Sequence, residues 1–223
     1  MTLNVYLVRH GQTFLNLYNR LQGWCDSPLT PKGINDAHNA GQHLAHIAFN
    51  AAYHSDTTRA MRTCQYILEE NVATPVLPNP QMLRNFREQS FGYFEGNDAG
   101  QTWLMVGASY GCRTYDELID KFGAAATRDF LKQTDPFHHC ENDQEYWQRI
   151  QAGFDYLYQH HTDGQNILLV SHSITIRTIV DRFAPEYQAP KNGPKNGSVT
   201  KLGLEPDKIT VCYYNHYQEN QNY

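Results

Sequence analysis

The sequence predicts an α/β protein: a three-layer sandwich with a mainly parallel central sheet and a helical cap inserted over one end. Three observations predict it. The runs Val5-Tyr6-Leu7-Val8 and Ile167-Leu168-Leu169-Val170 have the length and composition of strands buried on both faces. Such runs alternate with amphipathic helical stretches, the order in which βα units close into a parallel sheet covered on both sides. Residues 97–140 break that alternation with Gly107, Gly111, Gly123 and Pro136, short helical stretches and many aromatics, as an insertion would.

The elements follow in order. Residues 4–9 form the first strand. Ser27 to Gly33 is a loop that opens a helix, with Thr30 as N-cap and Pro31 in the first helical position. That helix extends to about residue 48, with Ile34, Ala37, Leu44, Ala45 and Ala48 facing inward and His38, His43 and His46 facing solvent. Ala51 to His54 is a second strand, Ser55-Asp56 a turn, and a helix follows through Ala60, Met61, Cys64 and Ile67-Leu68. Pro75 to Pro80 is extended and reads as an edge strand, because proline cannot donate to a ladder. After the insertion come a helix over about 143–160, the strand ending in Ser171-His172, and a helix over 173–183. His160-His161 suits the dipole at its helix end. Lys191 to Gly197 is a loop, and Ser198–Leu204 and Lys208–Tyr214 form a closing hairpin around Glu205-Pro206-Asp207. The expected organisation is one domain over 1–223, with 97–140 as a cap within it.

Composition excludes several classes. With 223 residues, 18% charged and 13% aromatic, the chain is an ordinary globular one. A formal charge of −5 argues against a general nucleic-acid or membrane-surface binder, whose footprint is basic. No run of about 18 apolar residues provides a membrane span. The N-terminus enters a strand directly, without the charged and apolar regions of a secretory signal. Five scattered cysteines, none in C-x-x-C spacing, read as reduced thiols of a cytoplasmic protein.

The chemistry lies where the strands end. Val8-Arg9-His10-Gly11 and Val170-Ser171-His172 each place a histidine at the C-terminal end of a strand, the edge where open α/β sheets bind ligands. A third strand ends at Ser55-Asp56, with Arg59 a turn later. If these strands are neighbours, two imidazoles and two guanidiniums converge. Arginines grip pairs of phosphate oxygens in a geometry that lysine cannot supply, and a helix N-terminus after Gly11 adds backbone donors. The anion is then a phosphoryl group, and an imidazole at its centre can form a phosphohistidine.

On these residues the chain resembles the histidine phosphatase superfamily, the phosphoglycerate mutase-like family. Five ordered blocks carry the resemblance: Arg9-His10-Gly11-x-Thr13 with Asn16; Gly23 to Gly33; Ser55-Asp56-x-x-Arg59-Ala60-x-x-Thr63; Arg87-Glu88-x-x-Phe91-Gly92-x-Phe94-Glu95-Gly96, followed by Cys140-Glu141-Asn142 with Arg149; and Val170-Ser171-His172. They span residue 4 to about 180. The resemblance implies a phosphoglycerate mutase-like fold with His10 as nucleophile. It implies Arg9, Arg59 and His172 around the transferring phosphoryl group, with Asn16 and the backbone near Gln22-Gly23 as further donors. Glu88 then protonates the leaving oxygen and activates water, a role that asks it to hold a proton near neutral pH. His10 must be neutral to attack, which flanking arginines favour. No cofactor and no metal are implied. Ser173 stands where the family usually has glycine, which would tolerate unusual backbone angles or close approach to phosphate; here it can add a hydroxyl donor.

Blander readings compete. Glu95 is a rival to Glu88, and Asn16 can be a surface amide. His138-His139-Cys140 lacks the further ligand pair of a metal site. Hydrolysis and isomerisation share one catalytic core, but a mutase needs extra cations in the cap for a second anionic group. Residues 97–147 hold four basic and nine acidic residues, without an adjacent arginine pair. The expectation is therefore a phosphomonoesterase of a small phosphorylated metabolite that releases phosphate. A cofactor-dependent phosphoglycerate mutase is the alternative, and a catalytically silent phosphate-binding module a remoter one. No nucleic-acid or membrane partner is expected, and a homodimer is left open.

Overall fold

The computed structural model describes residues 2–223. Six strands form one sheet in the order β3-β2-β4-β1-β5-β6, where β1 is Leu3–Arg9, β2 Ala51–His54, β3 Gln81–Met82, β4 Asn166–Ser171, β5 Val199–Glu205 and β6 Lys208–His216. The pairings β2–β3, β2–β4 and β1–β4 are parallel, and β1–β5 and β5–β6 antiparallel. Among the described residues the α-helices are α1 (Phe14–Leu17), α2 (Pro31–His43), α3 (Thr58–Glu69), α4 (Ala99–Ala108), α5 (Tyr115–Thr134), α6 (Asp143–His160) and α7 (Ser173–Phe183). Among the described residues no helix is long and apolar enough to cross a membrane.

The period-two alternation of β1 builds the three layers. Leu3, Val5 and Leu7 pack on one face in a core with Tyr146, Ile150, Phe154 and Leu157 of α6 and Ile176, Ile179 and Val180 of α7. Tyr6 and Val8 face the other way, onto Ala40 of α2 and Ala60, Cys64 and Ile67 of α3. A third, smaller core joins Leu21, Phe91 and Phe94 to Trp103 and Val106 of α4 and Leu118 and Leu131 of α5. It roofs one end of the sheet. Gly123, at φ 78° and ψ 172°, kinks α5.

Register positions the site. Val8 lies opposite Val170 and Arg9 opposite Ser171, so the next residues of these parallel strands, His10 and His172, leave the sheet side by side. His54 is level with Val170, which brings Ser55 to the same edge.

The structure departs from the sequence expectations at three places. α2 stops at His43, short of residue 48. The Asn71 amide caps the carbonyls of Leu44 and Ile47, and Ala45 accepts from Val72 and Ala73, so the carbonyls that would continue the helix are taken from outside. The edge strand is Gln81–Met82 rather than Pro75 to Pro80, whose three prolines lack the N–H a ladder requires. The helix after Gly11 is only four residues long, and Thr13 and Asn16 close its first turn in a capping box. It offers no open N-terminus to an anion.

Candidate active site

His10 is buried at the end of β1, 3% exposed. Its Nδ1 lies 2.7 Å from the Gly11 carbonyl. A carbonyl only accepts, so Nδ1 carries the hydrogen and Nε2 keeps its lone pair. Burial first, then the Arg59 and Arg9 guanidiniums, hold the His10 pKa well below 6.5. The ring is therefore neutral at neutral pH, with a lone pair on Nε2 that could act as a nucleophile. The His172 ring stands 5.1 Å away, centroid to centroid, with the planes at 62°. The spatial convergence expected from the two strand ends is present.

Glycine makes this turn possible. A Cβ on Gly11 would collide with the Gly33 carbonyl, and a Cβ on Gly33 with the carbonyl of Gln12. The glycines of the Arg-His-Gly and Pro-Lys-Gly motifs are the two halves of one backbone crossing. The Gly11 amide donates to Thr63 Oγ1 at 3.1 Å, which ties the turn to α3.

Arg59 is 1% exposed and spends more of itself than the sequence suggests. Nη1 donates to the Cys25 carbonyl and Asp26 Oδ1, and Nη2 to the Gln22 and Gly23 carbonyls and to His172 Nδ1 at 3.1 Å. It pins the 22–26 loop to His172, and only its buried Nε lacks a partner. Arg9 donates from Nη1 to the Pro194 carbonyl at 2.6 Å, and its Nε too is buried and unpartnered. Burial, then the nearby Arg177 cation, lower the Arg9 pKa to about 10, which leaves it charged. The expected pair of two-pronged forks is thus two anchored guanidiniums, each with an orphan Nε. Unpaired buried donors of this kind are expected where a ligand oxygen will sit.

His172 already has both ring nitrogens engaged, Nδ1 by Arg59 and Nε2 by Ser55 Oγ at 2.6 Å. Burial, Arg59 and His10 push its pKa well below 6.5. It is the joint between guanidinium and sheet edge, and Ser55 is a site residue that the sequence reading passed over as a turn. Two imidazoles held neutral make stability depend on pH with a definite sign. As pH falls, the unfolded chain takes up protons near 6.5 before the folded one does. Stability is therefore full above about pH 7 and is lost as pH drops through 6.5. The melting temperature is expected to fall steadily from pH 7 to pH 5, and less steeply in His172→Asn. A flat profile in the unsubstituted protein would contradict this.

Glu88, 4% exposed, anchors the start of α7. Oε1 accepts from the amides of Gln89 and Thr175 and from Thr175 Oγ1, and Oε2 accepts from the Ile174 amide. Its own carbonyl is held by Trp24 Nε1 and Arg149 Nη2. Glu95, its rival in the sequence, faces a different segment. It accepts from the amides of Gly23, Trp24, Cys25 and Phe91, and so shapes the loop instead. Gly23 must be corrected accordingly: its N–H is taken by Glu95 and it meets Arg59 through its carbonyl. The Gln22 side chain is tied to Thr13 and Ser27.

A cleft of about 530 Å³ is lined by Arg9, His10, Asn16, Gln22, Glu88 and Ser173, among others, while Arg59 and His172 lie behind it and do not line it. Asn16 turns Oδ1 back to the Thr13 amide, which leaves its NH2 for the cleft. Ser173 begins α7 and is not among the residues with positive φ, so the position does not demand glycine's backbone freedom. The cleft also contains Arg20 and Arg177. A count of cations confined to residues 97–147 missed both, because they come from the loop after α1 and from α7. Their only sequence signal is weak: Arg177 lies four residues beyond Ser173, on the same helix face. Among the described residues, no group of three or more His, Cys, Asp or Glu side chains is placed to hold a metal.

A family model described as the histidine phosphatase superfamily (branch 1) matches residues 5–103 and 106–216. The 2,3-bisphosphoglycerate-dependent phosphoglycerate mutase of Bradyrhizobium sp. (strain ORS 278) is 31% identical over 188 residues, 81% of this chain and 82% of that protein. The crystal structure of phosphoglycerate mutase from Bacillus anthracis str. Sterne aligns with a TM-score of 0.88 at 32% identity, covering 97% of this chain and 94% of its own. A putative alpha-ribazole-5'-P phosphatase from Escherichia coli str. K-12 substr. MG1655 covers 99% of both chains at 20% identity and a TM-score of 0.69, a likeness of fold alone.

Proposed function

The chain belongs to the histidine phosphatase superfamily (branch 1), and from that premise we propose that it is a phosphomonoester hydrolase working through a phosphohistidine on His10. The observation that carries this reading is the neutral His10 ring, with Nδ1 locked on the Gly11 carbonyl and Nε2 free, in a cleft that Arg9, with its unpartnered Nε, also lines. The substrate phosphoryl group binds against Arg9 and Asn16, with Ser173 bounding its pocket and Arg59 and His172 behind it. His10 Nε2 attacks phosphorus as the ester P–O bond breaks, and Glu88 gives a proton to the departing oxygen. Water then enters, Glu88 takes its proton, and the P–N bond breaks to release phosphate and restore His10. Positioning and charge stabilisation on the equatorial oxygens supply most of the catalysis. The substrate is a small phosphorylated metabolite, and residues 97–140 cap its site. With all five cysteines free, a cytoplasmic setting is part of the same reading.

Hydrolysis is favoured because the rim residues Asn19, Arg20, Thr114 and Asp116 are exposed, which leaves the cleft open to water. A mutase reading has its own support: Arg20 and Arg177 face the cleft, and the Bradyrhizobium and Bacillus relatives carry that name. Side-by-side assays of p-nitrophenyl phosphate hydrolysis and 3-phosphoglycerate isomerisation with added 2,3-bisphosphoglycerate decide between them. We expect sustained phosphate release and little isomerisation. Efficient isomerisation with negligible hydrolysis would reverse the assignment, and phosphate binding without any turnover would leave a silent module.

A further inference from the structure

A buried cation of α5 reaches the surroundings of Glu88 from behind. Arg128 is 2% exposed, and neither it nor its partners line the cleft. Nε donates to Gln89 Oε1 at 3.3 Å, Nη2 to Thr178 Oγ1 at 2.9 Å, and Nη1 to Asp143 Oδ1. The guanidinium carbon lies 4.1 Å from the centre of the buried Tyr146 ring. One side chain of α5 thus joins the segment around Glu88 to α6 and α7.

Two of these partners adjoin the Glu88 carboxyl. Gln89 follows it in the chain, and the Gln89 amide donates to Glu88 Oε1. Thr178 stands about one turn beyond Thr175, whose amide and hydroxyl both donate to Glu88 Oε1. Arg128 therefore braces the groups that grip the carboxyl on both sides. The other ties on this segment act on its main chain: Arg149 donates to the carbonyls of Asn85, Arg87 and Glu88, and Trp24 to that of Glu88. They fix the path of the chain and leave the side chain of Gln89 to Arg128, since its Nε2 is buried without a partner. Stability alone accounts poorly for such a cation. A buried ion pair gains little over an apolar residue of similar shape, because desolvation offsets its attraction. A group that must meet a departing oxygen does need a rigid support.

We propose that Arg128 is a positioning residue, which holds the Glu88 carboxyl at the leaving oxygen by fixing both Gln89 and the first turns of α7. This rests on the reading of Glu88 as the proton donor and adds the part of the fold that aims it.

The test compares p-nitrophenyl phosphate with 2-phenylethyl phosphate, an alkyl ester of similar bulk. Nitrophenolate departs without a proton, whereas the alkoxide needs the one from Glu88 as its P–O bond breaks. The ratio kcat/KM extends only to that cleavage, so the later attack of water does not enter it. In Arg128→Met, kcat/KM for the alkyl ester should fall roughly 30-fold, and for the aryl ester by less than about threefold. Arg128→Lys should restore part of the loss. A merely structural role would lower both esters alike. Glu88→Gln is the reference, and should cost the alkyl ester about 100-fold or more and the aryl ester clearly less. Selective loss in Glu88→Gln with equal losses in Arg128→Met would overturn the proposal and leave the proton donor standing. Equal losses in Glu88→Gln would remove the donor itself, and the proposal with it. If Arg128→Met fails to fold, Thr178→Val removes one brace at nearly constant volume. It should give a selective loss of about fivefold, and equal losses there would overturn the proposal.

Discussion

Replacing His10 with alanine is expected to lower phosphomonoester turnover by roughly 10⁴-fold or more, the scale seen when a covalent nucleophile is removed. No neighbouring group can take over. His172 has both nitrogens engaged, by Ser55 and Arg59. Glu88 has its oxygens on the first turn of α7 and on Gln89. The only hydrogen bond found for the His10 side chain is the one from Nδ1 to the Gly11 carbonyl. The fold should therefore survive the change with a stability loss of about 1 kcal/mol. Steady-state kinetics on p-nitrophenyl phosphate, with a melting curve on the same sample, checks both halves. Residual activity above about one part in a hundred would mean that another residue attacks phosphorus.

The largest effect on stability is expected at the motif glycines. Gly11→Ala drives a methyl group into the Gly33 carbonyl, and Gly33→Ala drives one into the carbonyl of Gln12. Both obstacles are backbone, which cannot rotate away as a side chain can. Each substitution should cost about 3 kcal/mol or more. For a chain of this length that lowers the melting temperature by roughly 6–12 °C. Because the two residues guard one crossing, the double substitution should cost clearly less than the sum of the singles. Thermal or urea unfolding of the three variants reads this, and full additivity would show that the crossing is not shared.

Much of this architecture was legible because it follows from short-range rules. Four-residue apolar runs fix β1 and β4, and Thr30-Pro31 starts α2 where its cap places it. A histidine just past each run then becomes a pair of neighbours, since parallel register carries Val8 to Val170 and the next residues outward together. What stayed hidden depends on contacts between distant segments. The end of α2 is decided by Asn71, and the state of Arg59 by loop carbonyls from Gln22 to Cys25. Spacing alone cannot separate Glu88 from Glu95. One caps α7 beside the cleft, while the other is spent on the amides of the 23–25 loop. Ser55, read only as a turn, and Arg177, not singled out at all, were missed for the same reason: each acquires its partner from another part of the chain.

Rapid acid-free quenching with a ³²P-labelled phosphomonoester, followed by peptide mapping, tests the central claim most directly. The label should appear on the peptide containing His10, be stable to base and labile to acid, and decay as free phosphate is released. Turnover without such a label, or a label carried by any residue other than His10, would contradict the account.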